Sequence, residues 1–153
     1  KGAAFAFPRQ EDTKMRRISI LTAILVSLHF TPALADEAAE TPAQMTIQNQ
    51  IQAFRAGEDA RAYSYAAPNI AQFFPTVDSF MAMVKNGYAP VWNPQNFEFG
   101  KSQEVGSDQV LQEVEVISKD GSFWKALYTL IKLPDGSWKI NGVQLLKTDG
   151  ASI

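Results

Sequence analysis

The sequence predicts an α+β domain in which N-terminal helices pack on an antiparallel sheet of four strands or more. Three observations lead there. Apolar residues recur at helical spacing between Ile47 and Val84. From Phe97 onward the apolar period changes to two. Two Asp-Gly turns, Lys119-Asp120-Gly121 and Pro134-Asp135-Gly136, divide the alternating part into hairpins. Helices followed by a meander is the α+β order.

The chain has 153 residues and begins at Lys1. Residues 1–14 are polar and carry no periodic apolar face, so they read as an upstream segment outside the fold. Met15, Arg16 and Arg17 open a secretory pattern. Ile18 to Phe30 is a nearly unbroken apolar run of 13 residues, Pro32 ends it, and Ala33-Leu34-Ala35 is a small-x-small cleavage site. The run is short for a spanning helix, which needs about 20 residues. Residues 15–35 are therefore expected to be a signal peptide cleaved after Ala35, delivering a secreted, periplasmic protein. Residues 36–44 are acidic, small and proline-containing, and read as a flexible leader. A single domain is expected over 45–149, since the 118 residues left after cleavage suffice for one core and not two.

Thr46 is expected to cap the first helix, with Ile47, Ile51 and Phe54 on its inner face and Gly57 at its end. Asp59 is expected to cap a second, short helix that holds Tyr63 and stops before Pro68. Asn69 to Phe74 adds a further turn. Thr76 caps the next helix, with Asp78 in its first turn and Phe80, Met81 and Val84 as its buried stripe. Tyr88 to Pro94 has two prolines and two aromatics in seven residues, and reads as a packed connection rather than helix.

Four strands follow: one beginning at Phe97, then Gln109 to Ser118, Phe123 to Leu133 and Trp138 to Lys147. The turns set their register. Pro134-Asp135-Gly136 suits a three-residue loop with a glycine bulge, because proline favours the second position of a type I turn and glycine accepts a positive φ. Lys132 then faces Trp138, Leu130 faces Ile140, and Tyr128 faces Gly142. The same loop at Lys119-Asp120-Gly121 pairs Val116 with Trp124, Val114 with Ala126, and Gln112 with Tyr128. Two-residue type I′ turns would instead flip the third strand. In the bulged register one face carries Gln112, Val114, Val116, Trp124, Ala126, Tyr128, Leu130, Trp138, Ile140 and Gly142. The other carries Glu113, Glu115, Lys125, Thr129, Lys139 and Asn141, with Leu127, Ile131 and Val143 among them.

Composition excludes several functions. The only histidine, His29, lies in the signal segment, and the chain has no cysteine. The exported part therefore lacks the usual ligands for zinc, copper and haem and the Ser-His and Cys-His nucleophile pairs. No phosphate-binding or dinucleotide glycine fingerprint is present, so no metal and no cofactor is expected. Beyond Ala35 there are nine Lys and Arg against fourteen Asp and Glu, a net charge of −5. The nine basic residues are scattered, which argues against nucleic acid and, after cleavage, against membrane surfaces as partners.

Glu113, Glu115 and Glu98 point to the outer face in this register, so no carboxylate has a claim to the interior and no catalytic residue is assigned. The inner pair Gln112 and Tyr128, with space beside Gly142, either frames a ligand cavity or forms a satisfied buried polar pair. Among the aromatics, Tyr63, Tyr88, Trp92 and Trp124 join these three as candidate pocket residues. Tyr88 and Trp92 sit on the irregular connection, where function concentrates.

The run MVKNGYAPVWNP (Met83 to Pro94), with SFWKALYTL (Ser122 to Leu130) and DGSWKINGVQLL (Asp135 to Leu146), resembles a bacterial family known as domain of unknown function 4864. DGSWKI on its own is similar to many members of the wider nuclear-transport-factor-2-like, or cystatin-like, cone superfamily. The resemblance covers residues 44–147 and implies helices on a curved sheet closed into a cone. The superfamily holds ketosteroid-isomerase-like and polyketide-cyclase-like enzymes as well as non-catalytic binders. Its enzymes place an acidic base or a histidine in the cone, and no such base maps onto this sequence. Three functions remain open. The first is a non-catalytic domain that binds a small apolar or amphipathic molecule in the cone or a protein partner through its outer sheet. The second is a cofactor-free lyase or isomerase that uses Tyr128 with an inward-turned Glu113 or Glu115. The third is a structural accessory subunit that forms a homodimer through the outer sheet face.

Overall fold

A computed structural model describes residues 40–150. The upstream segment, the signal peptide expected at 15–35 and residues 36–39 of the leader lie outside the described residues. Five helices precede four strands: α1 Pro42–Ala56, α2 Asp59–Ser64, α3 Pro68–Phe73, α4 Val77–Gly87 and α5 Ala89–Trp92, then β1 Asn96–Val105, β2 Gln109–Ile117, β3 Phe123–Lys132 and β4 Trp138–Thr148. The strands form one antiparallel sheet in the order β1-β2-β3-β4. This is the α+β order expected.

Helix α1 begins before the Thr46 expected to cap it. Thr41 is the N-cap: its hydroxyl accepts from Gln44 N, and Gln44 Oε1 accepts from Thr41 N. Pro42 takes the first turn, where its missing N–H costs nothing. Thr46 lies inside the helix and donates to the carbonyls of Pro42 and Trp138. The inner face is the one expected, with Ile47 and Ile51 fully buried and Phe54 close behind. Side chains of this size each stabilise the fold by about 1.5–3 kcal/mol when buried. Helix α2 is capped by Glu58 without a side-chain bond, and Asp59 is its first residue rather than its cap. Thr76 caps α4 in a reciprocal pair with Ser79, and Phe80, Met81 and Val84 are buried as the stripe predicts. The proline-rich connection contains a helical turn after all. Pro90 sits at the start of α5, the one part of a helix that tolerates proline.

The hairpin loops set the register as their chemistry requires. Gly121 and Gly136 have φ of 80° and 86°, and their N–H groups donate to Ser118 O and Leu133 O. Strand β2 meets β3 with Gln112 opposite Tyr128, Val114 opposite Ala126 and Val116 opposite Trp124. Strand β3 meets β4 with Lys132 opposite Trp138 and Leu130 opposite Ile140.

Two bulges interrupt the sheet. In β1 the register shifts between Phe99 and Ser102, so Gly100 and Lys101 share the space opposite Glu113. In β4 Asn141 is the extra residue: Leu130 faces Ile140, but Thr129 faces Gly142 and Tyr128 faces Val143. The expected pairing of Tyr128 with Gly142 is thereby corrected. Beyond the bulge every β4 side chain changes face, because strand periodicity is two. Val143 moves from the expected outer set to the inner one. Val143 and Leu145 pack on the core cluster that contains Ile47, Ile51, Val114, Ala126, Tyr128 and Leu130.

Candidate functional site

A half-open cavity of about 170 Å³ lies between the helices and the sheet beside Tyr128. Helix α1 contributes Gln50 and Phe54, and α4 contributes Phe80, Met83 and Val84. The α2–α3 region supplies Ala66, Ile70 and Phe74. Tyr88 and Val91 close another side, and Tyr128, Ile140, Gly142 and Val143 come from the sheet. Each helical contributor reaches the cavity by helical spacing. Gln50, Phe54 and the buried Ile47 and Ile51 share one stripe of α1, and Phe80, Met83 and Val84 one stripe of α4.

Among the described residues, the lining holds no Asp, Glu, His, Lys or Arg. Its polar groups are the side chains of Gln50, Tyr88 and Tyr128. Gln50 is 5% exposed and donates to Ala62 O at 3.1 Å, which ties α1 to α2. Tyr128 is fully buried, and its hydroxyl has no hydrogen-bond partner among the described residues. Burial holds the phenol well above its ordinary pKa, so it stays neutral and keeps a proton to donate. An unpaired buried hydroxyl costs about 1–3 kcal/mol, which makes it unusual in a native interior.

Of the residues singled out from sequence, the fold brings Tyr88, Tyr128 and Gly142 together around this cavity. Gly142 stays beside it despite the shifted pairing. Gln112 does not line it. Gln112 is 1% exposed and faces Tyr128 across the strands, but its Nε2 lies within reach of the carbonyls of Gly100, Lys101 and Glu113, at 3.1, 3.3 and 2.8 Å. It fills the β1 bulge. Tyr63 turns its hydroxyl to Phe74 O at 2.6 Å and lays its ring on Phe80. It supports the wall from behind. Trp92 lies half-buried under Lys85, whose Nζ is 5.5 Å from the ring. Trp124 is at the other end of the sheet, where Lys147 covers its ring at 5.8 Å and its Nε1 is buried without a partner. A depression there, bordered by Glu98, Glu115, Lys125 and Gly150, adjoins the end of the described chain and has charged, accessible walls.

Glu113 and Glu115 sit in the outer rows, opposite Leu127 and Lys125. Glu113 Oε2 is 3.1 Å from Lys125 Nζ. Neither carboxylate can reach Tyr128 from that side of the sheet. The sequence reading missed Gln50, Ile70, Phe74 and Met83. The signal for Gln50 was available: a glutamine three residues after Ile47 falls on the buried stripe. Ile70 and Phe74 carried no such signal, because α3 buries none of its residues fully.

Among the described residues no three His, Cys, Asp or Glu side chains come together as metal ligands. No curated protein matches the chain by sequence. Its fold is similar to the crystal structure of a Shewanella frigidimarina NCIMB 400 protein provisionally described as a ketosteroid isomerase, with a TM-score of 0.50 and 15% identity. That likeness covers 70% of this chain and 96% of the other. At this identity it concerns the fold: helices followed by an open four-stranded antiparallel sheet in the nuclear-transport-factor-2-like manner. Residues 36–153 match the family described as domain of unknown function (DUF4864), which is the family to which this chain belongs.

Proposed function

We propose that this domain binds a small neutral molecule in the cavity between helices and sheet and does no chemistry on it. One observation carries the reading: a hollow between helices and sheet whose lining is apolar apart from Gln50, Tyr88 and Tyr128 and holds no charged side chain among the described residues. A cavity with mostly apolar walls and few polar groups is the usual form of a small-molecule site. Catalysis by proton transfer needs a group that titrates near the working pH, and the lining supplies none. An isomerase or lyase reading would need Glu113 or Glu115 inside, and the register favours the outer face for both. The Arg-Arg start, apolar run and small-x-small site at residues 15–35 support binding in the periplasm after export.

The test is native mass spectrometry of the protein in its exported form after incubation with a fractionated small-molecule extract. A retained neutral species, lost on filling the cavity by Met83→Trp, is the expected result. A chemically altered product in place of a retained molecule would defeat the non-catalytic reading.

A further inference from the structure

We infer that helix α3 is the gate of the hollow: residues 68–74 open as a strap to admit an occupant and reclose over it. What the gate serves rests on the binding reading, but its movement belongs to the empty protein. The walls of the hollow differ in how firmly they are held. Helix α1 has 15 residues and a reciprocal N-cap, with Ile47 and Ile51 fully buried. Helix α4 is capped by Thr76 and anchored by Phe80, Met81 and Val84. Helix α3 has six residues, no side-chain cap and no buried residue, yet its Ile70 and the following Phe74 form part of the wall. A helix that short is marginal in water unless packing supports it. With no side chain buried, its opening costs far less than unfolding the domain.

The ends of the strap are pinned. On one side Ala67 N donates to Ile140 O and Ile140 N donates to Tyr65 O, both at 2.8 Å, which stitches residues 65–67 to β4. On the other side Phe74 O accepts from the Tyr63 hydroxyl at 2.6 Å, just before α4 begins. Pro68 and Pro75 stand at the two limits and donate no backbone hydrogen bond. Between the pins the backbone bonds are local: Ile70 N and Ala71 N donate to Ala67 O, and Phe74 N donates to Ile70 O. Movement is therefore confined to the strap, and it leaves the sheet and the two longer helices in place. Phe73 follows Ile70 by three residues, on the same side of the turn, and is 78% exposed. Closure over an occupant takes apolar surface of this ring out of water, which favours the closed, occupied state.

The chain has no cysteine, so one introduced thiol reports access cleanly. Val84→Cys places it in the wall, at a residue 5% exposed, and Ala126→Cys places it in the core away from the hollow. Labelling by N-ethylmaleimide is expected to be at least about tenfold faster at Val84→Cys, with little dependence on dilute urea, while Ala126→Cys follows global unfolding and speeds up with urea. Ala71→Gly loosens α3 without touching the lining, and should speed labelling of Val84→Cys about fivefold while Ala126→Cys stays far slower. Hydrogen exchange of the unsubstituted protein is the second measurement, valid even where a cysteine variant folds poorly. The amides of Ile70, Ala71 and Phe74 should exchange together, at least about tenfold faster than that of Ala67, which is bonded to β4. Equal labelling of the two thiols, a Val84→Cys rate unmoved by Ala71→Gly, or α3 amides as slow as Ala67 overturns the gate. Neither readout uses a ligand, so a moving strap in a protein that retains no molecule would sink the binding function alone.

Discussion

Gln112 and Tyr128 face each other across β2 and β3, both buried, both polar and both beside a bulge. Their surroundings differ. At the β1 bulge the extra residues turn backbone carbonyls inward, and the Gln112 amide fills the gap with three acceptors in reach of its nitrogen. At the β4 bulge the extra residue Asn141 re-aims Val143 onto the core; Tyr128 lines the hollow, and its buried hydroxyl has no partner among the described residues. The β1 bulge is plugged by a side chain, although Gln112 Oε1 is itself buried without a partner among the described residues. The β4 bulge instead lies beside the hollow, with Ile140, Gly142 and Val143 in its walls, and that is why the candidate site lies at one bulge and not the other.

The largest test of this contrast is Gln112→Ala. It strands the carbonyls of Gly100, Lys101 and Glu113 and opens a void, so a loss of about 2–4 kcal/mol is expected by urea denaturation. A loss below about 1 kcal/mol would mean the amide is not holding the bulge. Tyr128→Phe should do the opposite. Deleting an unpaired buried hydroxyl without changing the ring should leave the ligand-free protein unchanged or raise its stability by about 1–2 kcal/mol. Marked destabilisation would show that the hydroxyl has a partner.

The glycines beside the two bulges sharpen the comparison further. A Cβ on Gly100 would lie 3.2 Å from Glu113 Cβ, which sits in an interior strand of the sheet. Gly100→Ala should therefore cost about 1 kcal/mol. A Cβ on Gly142 meets nothing within 4 Å, so Gly142→Ala should be neutral or gain about 0.5 kcal/mol from the less flexible unfolded chain. Equal thermal shifts for the two would dissolve the distinction between a filled and an open bulge.

The smallest effect belongs to a turn away from both. The Ser118 hydroxyl donates to Asp120 Oδ1 at 2.5 Å, Ser122 N donates to the same oxygen, and the carboxyl is lowered to about 2. A carboxyl lowered by folding contributes stability above its unfolded value of 3.8 that disappears as pH falls towards about 2. Asp120 is fully exposed, so the contribution is slight. Asp120→Asn should flatten the acid limb of the melting curve in that window and leave it unchanged near neutrality.

The parts of the fold legible in advance were those governed by neighbours in the chain. The loops at Lys119-Asp120-Gly121 and Pro134-Asp135-Gly136 demanded a positive φ at the glycine and so placed Gln112 opposite Tyr128. The stripes of α1 and α4 followed from helical spacing. Some local signals were present and outweighed. Thr41-Pro42-Ala43-Gln44 is a capping sequence inside a segment whose acidic composition suggested a leader. Pro90 looked like a helix breaker where it is a helix starter. Gly142 inside a strand pattern marks a bulge as readily as open space. The candidate site was half legible: Tyr88, Tyr128 and Gly142 could be named, but Ile70, Phe74 and Met83 could not.

By itself the sequence determined the family, the order of helices and strands, and the turn chemistry that pairs β2 with β3. These depend on dihedral preferences and side-chain periodicity within a few residues. Only the tertiary structure decided that Gln112 ends on the β1 backbone and that Tyr128 ends among the walls of the hollow. Both outcomes depend on where a bulge falls in a neighbouring strand and how far apart helices and sheet stand. Such distances are set by packing between segments remote in the chain, and no local pattern encodes them.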